Sequence, residues 1–376
     1  MAHKPGLLLV ANWDSDVGYA WWLIEGFWAS IAKQYATRYQ VYLAFPSISK
    51  LPKVIAEAPI TCIEQDFHRD GDSSVLEQLR FIRQHRIQAI YFTDQAFVSL
   101  RYPLYRLAGV CRIINHDHTP GERCSARGLK RVIKSLRVAT PGMAVDIAIA
   151  TTDYIRQRTI NTDCMPPAKC FVASNGIAQH APDPSQTRQQ LGLPEQGDIL
   201  VTAARANHYK GIDVALEVLA KLKQLRPKHS VYYLLLGDGP HLEEFRQQAE
   251  ALGIGDRVIF KGRVSGVEHY LQHCSFAIHP SKGEVGYCLA ILEYMQAGLA
   301  VLVPNNPSVC GATSHQQDGH VYEGVDDAAA ALASYLDDPQ RRHAHGMAAK
   351  HNQASKFDLT LTHQSLLSAL QTTLPV

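Results

Sequence analysis

Short apolar runs alternate with helical patterns along the chain, and this alternation constrains the fold more than any other feature. Residues 7–10, 41–45, 89–92, 112–114, 147–150 and 171–173 read as buried strands. Runs apolar on both faces, separated by helices, imply a parallel sheet covered on both sides. The pattern breaks at the polar, proline-bearing stretch 181–190. It restarts with runs at 199–203, 231–236, 257–260, 276–279 and 300–303. The reading is two α/β domains, 1–180 and 181–355, with a terminal helix over 356–376 packing back on the first. A chain of 376 residues is long enough for each domain to bury its own core.

Composition excludes several classes. Apolar residues make up 46% and charged residues 19%, as in an ordinary globular protein. No stretch approaches the roughly 20 apolar residues of a membrane span, and the run at 7–10 leads into Asn12, Trp13 and Asp14 rather than a cleavage site. A net charge of +2 gives no argument for nucleic acid. The eight cysteines are scattered without the spacing of a zinc site, which fits free thiols in a reducing cytoplasm. No metal ligand set is expected.

In open α/β sheets, ligands sit outside the carboxyl ends of the strands, so the residues after each run carry the chemistry. After 199–203 come Arg205 and Lys210, a planar fork and a point charge suited to a diphosphate. After 231–236 comes Gly237-Asp238-Gly239-Pro240, where glycine permits a sharp turn. After 276–279 a glycine-bearing loop, Pro280-Ser281-Lys282-Gly283-Glu284-Val285-Gly286-Tyr287, opens a helix at Cys288, Leu289 and Ala290. Its amides and dipole favour a phosphate.

With these segments in this order, together with Ser174-Asn175-Gly176-Ile177, Leu191-Gly192-Leu193-Pro194 and Phe260-Lys261-Gly262-Arg263-Val264, the C-terminal half resembles the family-4 retaining glycosyltransferases. The resemblance is strong over 170–325 and weak before it. It implies an α/β, GT-B fold of two facing Rossmann-like domains. It also implies hexosyl or related transfer from a nucleoside-diphosphate sugar to a glycan or lipid-linked hydroxyl, in the cytoplasm and without a bound cofactor. Arg205, Lys210, Gly237 and the amides of Cys288, Leu289 and Ala290 match the diphosphate contacts, Arg263 and Val264 the nucleobase contacts, and Glu293 the carboxylate on the ribose. The family has two glutamates with seven residues between them. Here Glu284 and Glu293 have eight, and Val285 takes the expected first position. Either the loop adjusts so that Glu284 reaches the sugar, or that carboxylate is lost. The family's Gly-Gly after the next strand is replaced by Asn305-Asn306-Pro307-Ser308.

In the N-terminal half, Gly18 resembles the glycine beneath the donor phosphates. His116, with His118 as understudy, matches the histidine beside the transferred sugar. Asp14 and Asp16 spell D-x-D but read as helix-entry carboxylates rather than a metal site. Trp21 and Trp28 flank a core-facing helix stripe, Trp22 points away, and Trp13, at a strand's carboxyl end, either packs or stacks on an acceptor ring or lipid. Basic residues crowd 123–137, where Leu129, Val132, Ile133 and Leu136 share one helix face expected to pack on the sheet. The basic face is left for an anionic membrane surface. The departures at Val285 and 305–308 leave two rivals open, a catalytically degraded partner subunit and a sugar-nucleotide 2-epimerase on the same fold.

Overall fold

A computed structural model describes residues 4–17, 21–68, 74–119, 121 and 123–374. The chain divides into two compact units, Met1–Asn175 with Leu361–Val376, and Gly176–Thr360. Each is built on one parallel sheet with helices between its strands, so the α/β reading holds.

The first sheet comprises β1 (Gly6–Val10), β2 (Gln40–Phe45), β3 (Thr61–Glu64), β4 (Ile87–Thr93), β5 (Arg112–Asp117), β6 (Ile147–Ala150) and β7 (Cys170–Val172), in the order β3-β2-β1-β4-β5-β6-β7. The second comprises β8 (Asp198–Ala203), β9 (Val231–Leu236), β10 (Val258–Gly262), β11 (Phe276–Ile278), β12 (Ala300–Pro304) and β13 (Gly319–Tyr322), in the order β10-β9-β8-β11-β12-β13. All pairings between these strands are parallel. Each sheet starts in the middle, winds outward to one side and then crosses to the other. The crossing leaves a switch point, between β1 and β4 in one unit and between β8 and β11 in the other.

β3 and β13 were not anticipated. Thr61-Cys62-Ile63-Glu64 and Gly319-His320-Val321-Tyr322 carry no continuous apolar run, and each is an edge strand with one neighbour. The helix Trp21–Tyr35 follows the expected stripe: Ile24, Phe27, Trp28 and Ile31 are buried, and Trp22 and Trp13 are exposed. The final helix, Leu359–Gln371, belongs mostly to the first unit. Tyr35 donates its hydroxyl to the Leu374 carbonyl at 3.2 Å, and His363 meets the Phe27 ring.

The helix Gly128–Ala139 departs from expectation. Among its described residues none is buried, and Leu129, Val132, Ile133 and Leu136 are all exposed. The expected packing on the sheet is therefore corrected. The helix is moored by Val138, half-buried against the core, and by Lys134, which donates to the Thr162 carbonyl at 2.6 Å and reaches Asp163 at 3.3 Å.

The turn after β9 depends on a missing side chain. Gly237 has φ 148°, and a Cβ there would lie 2.0 Å from the Ala204 carbonyl oxygen. Gly237→Ala is expected to lower the urea midpoint at unchanged m, a loss of about 2 kcal/mol or more from backbone strain and overpacking.

Candidate functional site

Two loops at the switch point of the second sheet define the site. The segment after β8 turns through His208–Lys210, held by Asn207, whose side chain accepts from the Lys210 amide at 3.0 Å. Gly211 closes it in the left-handed region (φ 68°), where a Cβ would lie 2.0 Å from the Pro280 carbonyl oxygen. The segment after β11 lies against it: the Lys282 amide donates to the Tyr209 carbonyl at 2.9 Å, and a Cβ on Gly283 would lie 2.4 Å from the Tyr209 hydroxyl oxygen. At position 211 only glycine allows this approach, because a Cβ there would meet backbone.

The approach brings Lys210 and Glu284 together. Lys210 Nζ donates to Glu284 Oε1 at 2.5 Å, and His279 Nε2 lies 2.8 Å from the same oxygen. Cys288 Sγ lies 3.4 Å from His279 Nε2. Burial works against each of these charges, but the partners win. Glu284 is held at about 2 by His279 and Lys210, and His279 is lifted to about 9 by Cys288 and Glu284. Glu284 raises Lys210 above its ordinary value. Gly286 in the same loop is left-handed (φ 66°), and it is Glu284 that meets Lys210.

The helix Leu289–Gln296 starts beside this cluster. Cys288 is its N-cap and makes no side-chain cap hydrogen bond, and helix geometry leaves the first amides without intrahelical acceptors. Further along, Glu293 is half-buried. Burial and then Glu268 push its carboxyl up to about 7, and among the described residues its side chain meets no hydrogen-bond donor. Arg205 is exposed on the loop after β8, and Arg263 is exposed beyond β10. Val264 is half-buried against the core. The Gly262 carbonyl before them accepts from the Gly237 amide at 2.8 Å, so the turn after β9 and the segment after β10 are tied together. Where the sequence has Asn305 to Ser308, Asn306 donates to the Lys282 carbonyl at 3.0 Å and fixes that loop to the one bearing Glu284.

The first unit places the other candidates at its own strand ends. His116 is fully buried, with Nδ1 2.6 Å from the Tyr91 hydroxyl and Nε2 without a partner among the described residues. Burial and then His118 hold its ring neutral. The His118 ring lies beside it, tilted by 46° with centroids 4.0 Å apart, and neither of its nitrogens has a hydrogen bond among the described residues. Gly18 lies outside the described residues. Asp14 organises its loop: Oδ1 accepts from Ser49 Oγ at 2.8 Å and the Asp16 amide at 3.1 Å, and Oδ2 from Ser47 Oγ at 2.9 Å. A cleft of about 350 Å³ is lined by Asp94, Asp117, Thr119, Arg123, Lys134 and Arg137, among others. Sequence reasoning missed this cleft, whose lining comes from separate segments, and it missed His279 and Cys288 as partners of Glu284.

A model of the family described as "Glycosyl transferases group 1" matches residues 183–352. The GDP-mannose-dependent alpha-(1-6)-phosphatidylinositol monomannoside mannosyltransferase of Mycobacterium tuberculosis is 27% identical over 299 residues, 74% of this chain and 74% of that protein. Alpha-monoglucosyldiacylglycerol synthase of Streptococcus pneumoniae is 30% identical over 153 residues, 40% of this chain and 34% of that protein. Among solved structures, Anabaena HepE in complex with UDP and glucose superimposes with a TM-score of 0.74 at 18% identity, over 98% of this chain and 100% of that one. The structural likeness shows the GT-B fold.

The buried cluster has a pH signature. An imidazolium favoured by folding stabilises fully below its ordinary value of about 6.5 and ceases to as pH rises through about 9. In histidine NMR spectra His279 is expected to titrate near 9, and Cys288→Ala should move its midpoint down. Thermal melts should fall between pH 6.5 and 9, less steeply in that variant.

Proposed function

We propose that the chain, of GT-B fold and matched over residues 183–352 by the group 1 glycosyltransferases, is a retaining, metal-independent enzyme of that family. In this reading it moves a hexosyl or related group from a nucleoside-diphosphate sugar to a hydroxyl of a lipid-linked acceptor, in glycolipid or envelope glycan synthesis. The observation that carries the reading is the meeting of Lys210, Glu284 and His279 beside an uncapped helix start.

The diphosphate takes hydrogen bonds from Lys210, Arg205 and the amides at Cys288, Leu289 and Ala290, of which Lys210 is held by Glu284 and the amides by the helix before the donor arrives. Preorganised donors aimed at charge that grows as the bond to the leaving diphosphate breaks are the largest expected contribution to rate. Glu284, kept ionised by His279 and Lys210, faces the positive charge of an oxocarbenium-like sugar. The leaving phosphate accepts the acceptor proton, so no separate base is required. Glu293 supplies an acceptor without a protein donor for the ribose hydroxyls, and the turn after β9 with Arg263 and Val264 receives the base. In the first unit, His116 is the residue taken to orient the transferred sugar.

The acceptor is proposed to be lipid-borne, and the enzyme to work on the cytoplasmic face of a membrane. The names of both relatives describe action on lipids. No helix among the described residues is long and apolar enough to cross a membrane. Helix Gly128–Ala139 instead presents Leu129, Val132, Ile133 and Leu136 to solvent next to Lys130, Arg131 and Arg137. An apolar face flanked by cations fits an anionic surface, each basic residue adding about 1 kcal/mol near it. Lys134 and Arg137 also line the cleft of the first unit, and in this reading that cleft takes the polar head group beside that face.

Turnover of a nucleotide-sugar panel tests the reaction. Lys210→Ala and Arg205→Ala should each weaken nucleoside-diphosphate binding by about 1.5–3 kcal/mol, the range of charge-assisted bonds. Glu284→Gln should keep donor affinity and lose kcat, since its contact is made chiefly in the transition state. Turnover should be unchanged in EDTA. Wild-type kcat in Glu284→Gln, or a requirement for Mg²⁺ or Mn²⁺, contradicts the mechanism, and an isomerised nucleotide sugar as product would establish the epimerase.

Membrane association is read by vesicle co-sedimentation. Binding should occur with anionic but not neutral vesicles and weaken with salt. It should be lost when Lys130, Arg131 and Arg137 are changed to Glu, with Lys134 kept because it moors the helix. Binding indifferent to lipid charge or to these changes refutes the idea.

A further inference from the structure

The loop that ends in Lys210 carries a second cluster, distinct from the Lys210–Glu284–His279–Cys288 group. His208 lies on the turn His208–Lys210, and His241 and Glu244 lie at the start of the helix Leu242–Ala251. The spacing His241-x-x-Glu244 puts both on one helix face. The imidazole rings of His208 and His241 lie 4.3 Å apart, and His208 Nε2 is 3.0 Å from Glu244 Oε2. One donor atom from each of the three residues lies within 4.8 Å of the others.

The backbone builds this arrangement before any ligand arrives. The His241 amide donates to the Ala206 carbonyl at 3.2 Å, and the Ala206 amide to the Asp238 carbonyl at 3.0 Å. The approach needs Gly239, where a Cβ would lie 2.4 Å from the Ala206 carbonyl oxygen. A simple ion pair accounts for His208 and Glu244 but not for the second imidazole beside them. Nor does it account for His241 Nδ1, which is buried and has no hydrogen-bond partner among the described residues. An orphaned buried nitrogen in a cluster of donor atoms is where a water or an ion is to be sought.

We propose that His208, His241 and Glu244 form a binding site for a divalent transition-metal ion of the zinc class. Two imidazoles and a carboxylate are a zinc-type donor set and a poor one for magnesium. The His208 and Glu244 side chains are 50% and 59% exposed, which lets the ion enter and leaves coordination positions for water. The ion pins the turn bearing Lys210 to the helix after β9. It takes no part in the chemistry of sugar transfer, and the site stands whether or not that reaction is the correct one.

The test is calorimetric titration of metal-stripped protein with ZnCl₂, paired with thermal melts. The wild type should bind one equivalent and melt higher with it, by mass action on the folded state. MgCl₂ should do neither. The His208→Ala/His241→Ala variant should bind Zn²⁺ at least about tenfold more weakly, given that even supporting residues of a metal site are worth that much. The Glu244→Gln variant, altered at an exposed position, should also lose affinity. Cys288→Ala should bind normally, and Co²⁺-loaded wild type should show no thiolate charge-transfer band. Undiminished binding in the two histidine- and glutamate-site variants, an equal response to Mg²⁺, or loss of binding in Cys288→Ala would overturn the proposal.

Discussion

The outward winding of each parallel sheet from a central strand is the constraint from which the site follows. Parallel neighbours need crossovers, crossovers start at strand ends, and where the winding changes direction two loops part with a space between them. In the second unit those loops follow β8 and β11. This brings Lys210 and Glu284, 74 residues apart in sequence, to 2.5 Å. No local feature of either loop dictates that contact. Gly211 lets the loops close the space, because a side chain there would meet the Pro280 carbonyl and force them apart.

Burying the resulting charges is costly, and the arrangement is sustained only because each has a partner. Glu284 lies between a lysine and a histidine, and removing either would leave a carboxylate in a low-dielectric site with half its compensation. The same logic governs the first unit, where buried Arg158 donates to Asp117 at 2.8 Å and to the Gly121 carbonyl at 2.7 Å, holding the loop after β5. Asp94, in the left-handed region at φ 57°, accepts the His118 amide, yet burial raises its carboxyl to about 7. Both units thus keep polar groups poised and incompletely satisfied at strand ends, where a ligand can complete them.

The strands were legible because burial on both faces leaves long apolar runs; β3 and β13, at sheet edges, left none. The loops after β8, β9 and β11 were legible through glycine and charge. Their partners were not: nothing near Glu284 in sequence marks His279 as its hydrogen-bond partner, and His208 meets His241 and Glu244 only through the fold. The helix Gly128–Ala139 shows the opposite failure. Its periodic apolar face was plain, but periodicity says that a face is to be covered, not what covers it. His116 was found by its place at a strand end, whereas its complete burial depends on Tyr91 and Phe27 from other segments.

The surplus residue between Glu284 and Glu293 shows how such a chain absorbs change. The helix Leu289–Gln296 cannot shift by one residue without turning Ile291, Leu292, Tyr294 and Met295 out of the core, a rotation of about 100° for each. The loop has no such debt to burial. Gly286 adopts a left-handed conformation at little cost, so the loop can change length without moving the helix. Glu293 keeps its place on the helix, and Glu284 keeps its place because Lys210 and His279 hold it. The two carboxylates are therefore fixed by separate means, one by helix register and one by charge, which is why their spacing in sequence can vary while each stays in its own environment.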